Sequence, residues 1–255
     1  MRSVLIIAGN TFREVIRDRI LYGLIVFALM LLFLSLALGQ LTFDENIRLS
    51  ANFGFTGIHI AIVVLAVFVG STLVSKEIDK QTILTLLARP ISRAQFILGK
   101  ALGLMGVLLV VATGLSVILS TLLFFLNFEF SIAYPIAVAG IILEAAVLLA
   151  VALFFGSFSR PMMTVIFTVS VFLLGHWIDS LHFFVSRSES AVFKFVGTAV
   201  GYAIPNLEKF NWRAAPVYGL VVPGTEVLSA FGAMAGWGCI LIAATVLIFR
   251  RRDFV

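Results

Sequence analysis

Residues 75–100, SKEIDKQTILTLLARPISRAQFILGK, form the one long polar interruption in a chain otherwise dominated by apolar runs. Residues 82–88 read as a short helix with Ile83, Leu86 and Leu87 on one face. Arg89-Pro90 stops it, because proline has no amide hydrogen and disfavours a helical residue before it. Ser92-Arg93-Ala94-Gln95 then has the Ser-x-x-Gln form of a capping box, so a new helix is expected to start at Ser92. Helix, stop and capped restart suit a segment lying flat at a membrane surface between two spanning helices. A plain solvated loop is the other reading of the same residues.

Composition supports the membrane setting. Of 255 residues 61% are hydrophobic and 12% charged, and mean hydropathy is +1.14. Those values exclude a soluble globular domain and indicate an all-α polytopic membrane protein. Six apolar runs are long enough to cross about 30 Å of hydrocarbon at roughly 1.5 Å per residue. They lie near 21–38, 57–74, 101–126, 132–155, 162–178 and 227–249. Residues 1–20 read as an amphipathic interfacial helix, with Leu5, Ala8, Phe12, Val15, Ile16 and Ile20 on one side. An extension of the first span is the alternative for the same stretch.

Orientation follows from the cations. Thirteen of the 18 Lys and Arg residues fall on the side that holds both ends of the chain and residues 75–100. The positive-inside rule puts that side in the cytoplasm. The net charge of +5 is therefore a topology signal, and no nucleic-acid partner is expected. Cys239 is the single cysteine, so no internal disulfide can form.

Beyond the membrane the long outer loop, 179–226, stands out. Residues 191–204 are apolar but carry Lys194 and two glycines, as in an interfacial or re-entrant helix. Trp212 with Arg213 reads as an aromatic and a cation at headgroup depth. Gly99-x-x-x-Gly103 and Gly232-x-x-x-Gly236 are spaced for close helix packing.

Glu144 falls in mid-span, where a carboxylate is costly unless paired, protonated or facing water. It is either a functional site or a packing group hydrogen-bonded to a neighbouring helix. His176, Asp179 and His182 cluster at the outer end of the fifth span. A metal site is conceivable there, but the spacing is loose and interface residues are the better reading, so no metal is assigned. No Gly-x-x-x-x-Gly-Lys-Ser/Thr loop occurs in the sequence, so any ATP must be bound by another chain.

Glu77-Ile78-Asp79-Lys80-Gln81-Thr82, Leu86-Leu87, Arg89-Pro90-Ile91-Ser92-Arg93, Phe96 and Gly99-Lys100 together resemble the permeases of ABC-2 type ABC transporters. The likeness extends to the interfacial first helix, the six spans and the long loop before the last. It is nearest to the subgroup of nitrous-oxide-reductase maturation and gliding-motility permeases, although many relatives have Gly-Thr where this chain has Gln81-Thr82. The resemblance implies a transmembrane subunit, paired with a second permease chain, that couples ATP hydrolysis on separate ATPase subunits to export. ATP and Mg would sit on those subunits, and this chain would carry no cofactor. Residues 82–88 would be the coupling helix seated in the ATPase, with Glu77, Thr82, Ile83, Leu86, Leu87, Pro90 and Arg93 as its contact set and residues 1–20 as an elbow helix beside it. A membrane anchor or mechanical transducer that moves no substrate is the alternative. An intramembrane enzyme is a third reading; it needs Glu144, His176 and His182 to converge, and mid-bilayer and outer-face positions argue against that.

Overall fold

The computed structural model describes residues 2–40, 45–79 and 92–251, with side chains at all of these but 73–79 and 251. Its helices are α1 (Arg2–Ile16), α2 (Arg19–Gly39), α3 (Asn46–Asp79), α4 (Arg93–Phe125), α5 (Ala133–Gly156), α6 (Pro161–Arg187), α7 (Ala191–Ala203), α8 (Ala215–Tyr218) and α9 (Gly224–Arg251). A 3-10 turn occupies Glu208–Phe210. Six of these, α2 to α6 and α9, are long and apolar enough to cross a membrane, and no strand occurs among the described residues.

Local chemistry sets the boundaries. Asp18 caps α2 by accepting from the amide of Ile20 at 3.0 Å. The expected capping box opens α4: Ser92 Oγ accepts from the Gln95 amide at 3.2 Å, and Gln95 Oε1 accepts from the Ser92 amide at 3.1 Å. Pro161 starts α6, where its missing N–H costs no helical bond. Gly219, at φ +65°, ends α8 in the left-handed region that side chains resist.

Two spans are longer than their apolar runs. At 34 residues α3 is about 51 Å long, well beyond the hydrocarbon core, and it begins at Asn46 rather than at 57. Likewise α4 begins at Arg93 rather than 101. The apolar runs mark only what lipid or protein must cover; the hydrogen-bonded ladder continues wherever no breaker stops it. Both flanks of the polar interruption are thus helix. Residues 80–91, with the expected coupling helix, lie outside the described residues.

The bundle is concentric. Of the apolar windows, 78% of α5 and 72% of α3 are buried, against 22% of α2 and α6 and 6% of α9, so α5 and α3 form the centre. On the periphery Phe33, Phe68, Phe124, Phe184 and Leu247 are exposed, as lipid-facing rings and aliphatic chains should be.

At the terminal end α1 lies against α4. The contact face is Ile7, Thr11 and Val15, whereas Leu5 and Ile6 point away, so the buried stripe is displaced from the one the sequence periodicity suggests. Gly99 and Gly103 make the approach possible. A Cβ on Gly99 would come 2.7 Å from the side chain of Ile7, and one on Gly103 would come 2.6 Å from the Ala8 carbonyl. Gly232 and Gly236 have nothing within 4 Å, so the second glycine pair makes no packing contact within this chain.

The outer loop holds the largest departure from the sequence reading. Beyond α7, residues 204–218 turn back into the bundle and pack on α3, α5 and α6. Leu207, Phe210, Trp212 and Val217 are buried. Trp212 is therefore a core residue and not a headgroup anchor. Two glycines cut the slot for this return segment. A Cβ at Gly140 of α5 would strike the Phe210 carbonyl and come within 3.0 Å of the Trp212 ring. At Gly175 of α6 it would lie 2.8 Å from the Pro205 carbonyl, beside the bond by which the Leu207 amide donates to the Gly175 carbonyl at 3.1 Å. Irregular backbone at membrane depth is tolerated when it is buried in protein in this way.

Candidate functional site

The return segment carries Arg213 to a group of ionisable side chains in the centre of the bundle. Glu144 lies roughly 17 Å along α5 from Ala133 and roughly 18 Å from Gly156, so it stands midway along the helix. It is 1% exposed and faces α3 rather than lipid. His59 of α3, 4% exposed, places Nε2 3.0 Å from Glu144 Oε1 and 2.9 Å from Oε2. Arg213 Nη1 stands 2.7 Å from the other ring nitrogen, Nδ1.

These contacts fix the tautomer of His59. A guanidinium N–H can only donate, so Nδ1 must accept with its lone pair. The ring proton is then on Nε2, and it is donated to both carboxyl oxygens of Glu144. The guanidinium is itself held in place: Nε donates to Asn211 Oδ1 at 2.9 Å, and Asn211 Nδ2 donates to Glu208 Oε1 at 2.7 Å. Burial pulls the Arg213 guanidinium below its ordinary range, while the charges of Glu144 and Glu208 pull it back up. Glu144 and Glu208 are the carboxyl groups that act on it.

His176 of α6 completes the cluster. Its Nδ1 lies 3.1 Å from the Phe172 carbonyl, one turn back, and its ring packs on Phe172 with centroids 4.7 Å apart. Its Nε2 faces Glu144 Oε1 at 3.6 Å, an ion-pair separation beyond hydrogen-bonding reach, and this buried nitrogen has no hydrogen-bond partner among the described residues.

Glu144 and His176 therefore do converge, contrary to the expectation that bilayer depth separates them. The helix runs on to Arg187, so residue 176 sits well inside it and not at the end that the apolar run suggests. His182, two turns further along α6, stays outside the cluster and packs against Gly201 of α7. Asp179 is also apart: it accepts from Asn206 Nδ2 at 2.7 Å and pins the start of the return segment.

His59, Glu144 and His176 each offer one ligand atom, all within 4.8 Å of one another, and no other such trio exists among the described residues. The hydrogen bonds weigh against a metal there. With Arg213 on Nδ1, His59 has a proton and no lone pair at Nε2. A metal-bound histidine donates its second N–H outward to a carbonyl or carboxylate, and a guanidinium is the wrong partner for it. That leaves two ligands beside a fixed positive charge.

The family model described as ABC-2 family transporter protein matches residues 16–175, more than half of the chain. The chain belongs to that family. No curated protein matches it. In this ABC-2 family chain His59 and Glu144 lie inside the matched stretch, whereas His176 and Arg213 fall beyond its end. The buried network thus joins the family-defining part to the C-terminal remainder.

The contact set read from the sequence is only partly within view. Glu77 belongs to the last turn of α3, and Thr82, Ile83, Leu86, Leu87 and Pro90 lie outside the described residues. Arg93 begins α4 and donates from Nη1 to the carbonyls of Phe249, at 2.6 Å, and Arg250, at 3.1 Å. It thereby satisfies carbonyls at the end of α9, where a cation also complements the helix dipole. Nearby, Lys100 is 4% exposed and reaches Glu14 of α1 at 3.4 Å.

Sequence reasoning missed His59, and it placed Arg213 in the headgroups. The signal for His59 was present: it is an ionisable residue inside an apolar span, which is a functional candidate by default. Nothing local distinguishes Arg213 from a surface cation.

Proposed function

We propose that this chain is the permease subunit of an ATP-driven ABC transporter. ATP and Mg are bound by separate ATPase subunits, and a second permease chain completes the transmembrane unit. Export across the cytoplasmic membrane of a prokaryote, with both termini in the cytoplasm, is the direction this reading takes. The observation that carries it is the ABC-2 family match over residues 16–175, which takes in the whole polar segment 75–100. The likeness of that segment to the nitrous-oxide-reductase maturation and gliding-motility permeases supports the same reading.

The helices supply a mechanical rationale. Both α3 and α4 run unbroken from the residues flanking 80–91 into the centre of the bundle. Asp79 and His59 are about 30 Å apart along α3. A displacement applied by an ATPase at the connection would reach His59, and through it Glu144 and Arg213, along one rigid element. Residues 82–88 are the proposed coupling helix, with Ile83, Leu86 and Leu87 as its apolar face.

One observation favours the second reading, a transducer that moves no substrate. Glu144 is enclosed within a single chain, so it does not supply a polar lining between two permease chains.

The test is co-purification in mild detergent with candidate ATPase subunits, followed by ATP hydrolysis with and without this chain. Leu86→Asp should abolish the chain's effect on hydrolysis and leave membrane insertion intact. Unchanged assembly and stimulation in that variant would remove the coupling-helix assignment. Coupled hydrolysis with no transported substrate in sealed vesicles would select the transducer.

A further inference from the structure

We propose that Glu144 and His176 form a proton-binding site, with one proton held between Glu144 Oε1 and His176 Nε2. Four observations carry it, and none depends on coupling to an ATPase.

The Phe172 carbonyl can only accept, so the His176 nitrogen that faces it, Nδ1, carries a hydrogen. In a neutral imidazole the other nitrogen, Nε2, then presents a lone pair. That atom is buried, without a hydrogen-bond partner, and 3.6 Å from a carboxyl oxygen. Two acceptors facing each other is an arrangement that buried polar groups avoid. One added proton turns it into a donor–acceptor pair, as imidazolium on carboxylate or carboxylic acid on imidazole.

No neighbour among the described residues can supply that hydrogen. From α3, His59 already directs its N–H to Glu144 and receives Arg213 on its other nitrogen. From the return segment, Arg213 is taken up by His59 and Asn211, and Glu208 accepts from Asn211. On α6 itself Asp179 accepts from Asn206, and His182 lies against Gly201. The open valence belongs to the Glu144–His176 pair.

Access is one-sided. The side chain of His176 is 18% exposed, against 5% for His59 and 2% for Glu144, so His176 is the least enclosed member of the cluster. Proton uptake ties α6 to α5 across the site. Its loss leaves the two helices facing each other through like lone pairs.

The test uses the full chain in lipid nanodiscs, with ¹⁵N-labelled histidine for magnetic resonance and infrared detection of the carboxyl group. In the wild type the shared proton should be seen as an imidazolium signal from His176 or a protonated-carboxyl band from Glu144, lost as the pH is raised. Both signals should vanish in His176→Gln, whose amide donates to Glu144. They should also vanish in Glu144→Gln, whose amide can donate to His176 and accept from His59. An ionised Glu144 beside a neutral His176 at every pH at which the chain stays folded overturns the proposal. Stoichiometric Zn²⁺ uptake by the wild type, absent in both variants, overturns it in favour of a metal centre.

Discussion

Replacing Arg213 by Met tests whether the return segment is held by charge or only by packing. Met keeps much of the aliphatic bulk and removes the donor to His59 Nδ1. Taking one partner from a buried charged pair costs about 3–5 kcal/mol, because the other charge is left unbalanced. Arg213 is only partly buried, so we take the lower end, about 3 kcal/mol. For a chain of this size that corresponds to a fall in unfolding temperature of about 6–12 °C. The informative comparison is the same substitution beside Glu144→Gln. With no buried carboxylate to balance, Arg213→Met removes one ordinary hydrogen bond, worth about 1 kcal/mol, or about 2–4 °C. Thermal unfolding of the four proteins in one detergent at one scan rate gives the cycle, whose interaction energy should be about 2 kcal/mol. If the two substitutions add to within about 0.5 kcal/mol, Arg213 and Glu144 are not coupled. The tautomer assigned to His59 would then fall with them.

Four further outcomes follow from the packing. Gly103→Ala should push α1 off α4 and cost about 1–3 kcal/mol, because its Cβ meets the Ala8 carbonyl and Thr11; disulfide cross-linking between cysteines placed in α1 and α4 reads it directly. Gly236→Ala should leave the unfolding of the isolated chain unchanged, since nothing lies within 4 Å, and a large loss of stability there would contradict the exposed position of α9. Trp212→Ala should cost about 3–5 kcal/mol as a large core deletion. Trp177, which is 73% exposed, should be quenched by brominated lipid, whereas equal quenching of Trp212 would contradict its burial.

The spans and the capped restart at Ser92 were legible because both depend on neighbours in sequence. Apolar length reports the need to cross lipid, and Ser92 with Gln95 satisfies its own helix start. The stripe of α1 was less legible because periodicity says that a helix is two-faced but not which face finds a partner. Ile7 and Thr11 are buried because Gly99 and Gly103 let the backbone of α1 come close at that angle. The return segment was illegible. Trp212 and Arg213 are as suitable for a headgroup layer as for a core, and the decision is made far away, at Gly140 and Gly175, where missing side chains leave a slot. Glu144 was recognised as an anomaly, but its partners come from three other elements, and no local pattern links residues 59, 144, 176 and 213.

A buried charge network is a poor source of stability, since desolvation offsets most of its attraction. Leu207, Phe210 and Trp212 would hold the return segment without it. What apolar contacts cannot do is fix register, because one ring slides past another at little cost. Arg213 has one position that meets His59 Nδ1 and Asn211 together, and His59 has one rotamer that sets its N–H on both oxygens of Glu144. A shift of one residue in the segment, or of one turn in α3, would strand a charge in the middle of the bundle. The network therefore gives the central helices a small number of discrete arrangements instead of a continuum. Under the proposed function, in which an ATPase acts at the far end of α3, that property matters: a push of a few ångströms must end in a defined second state, with each buried charge paired again.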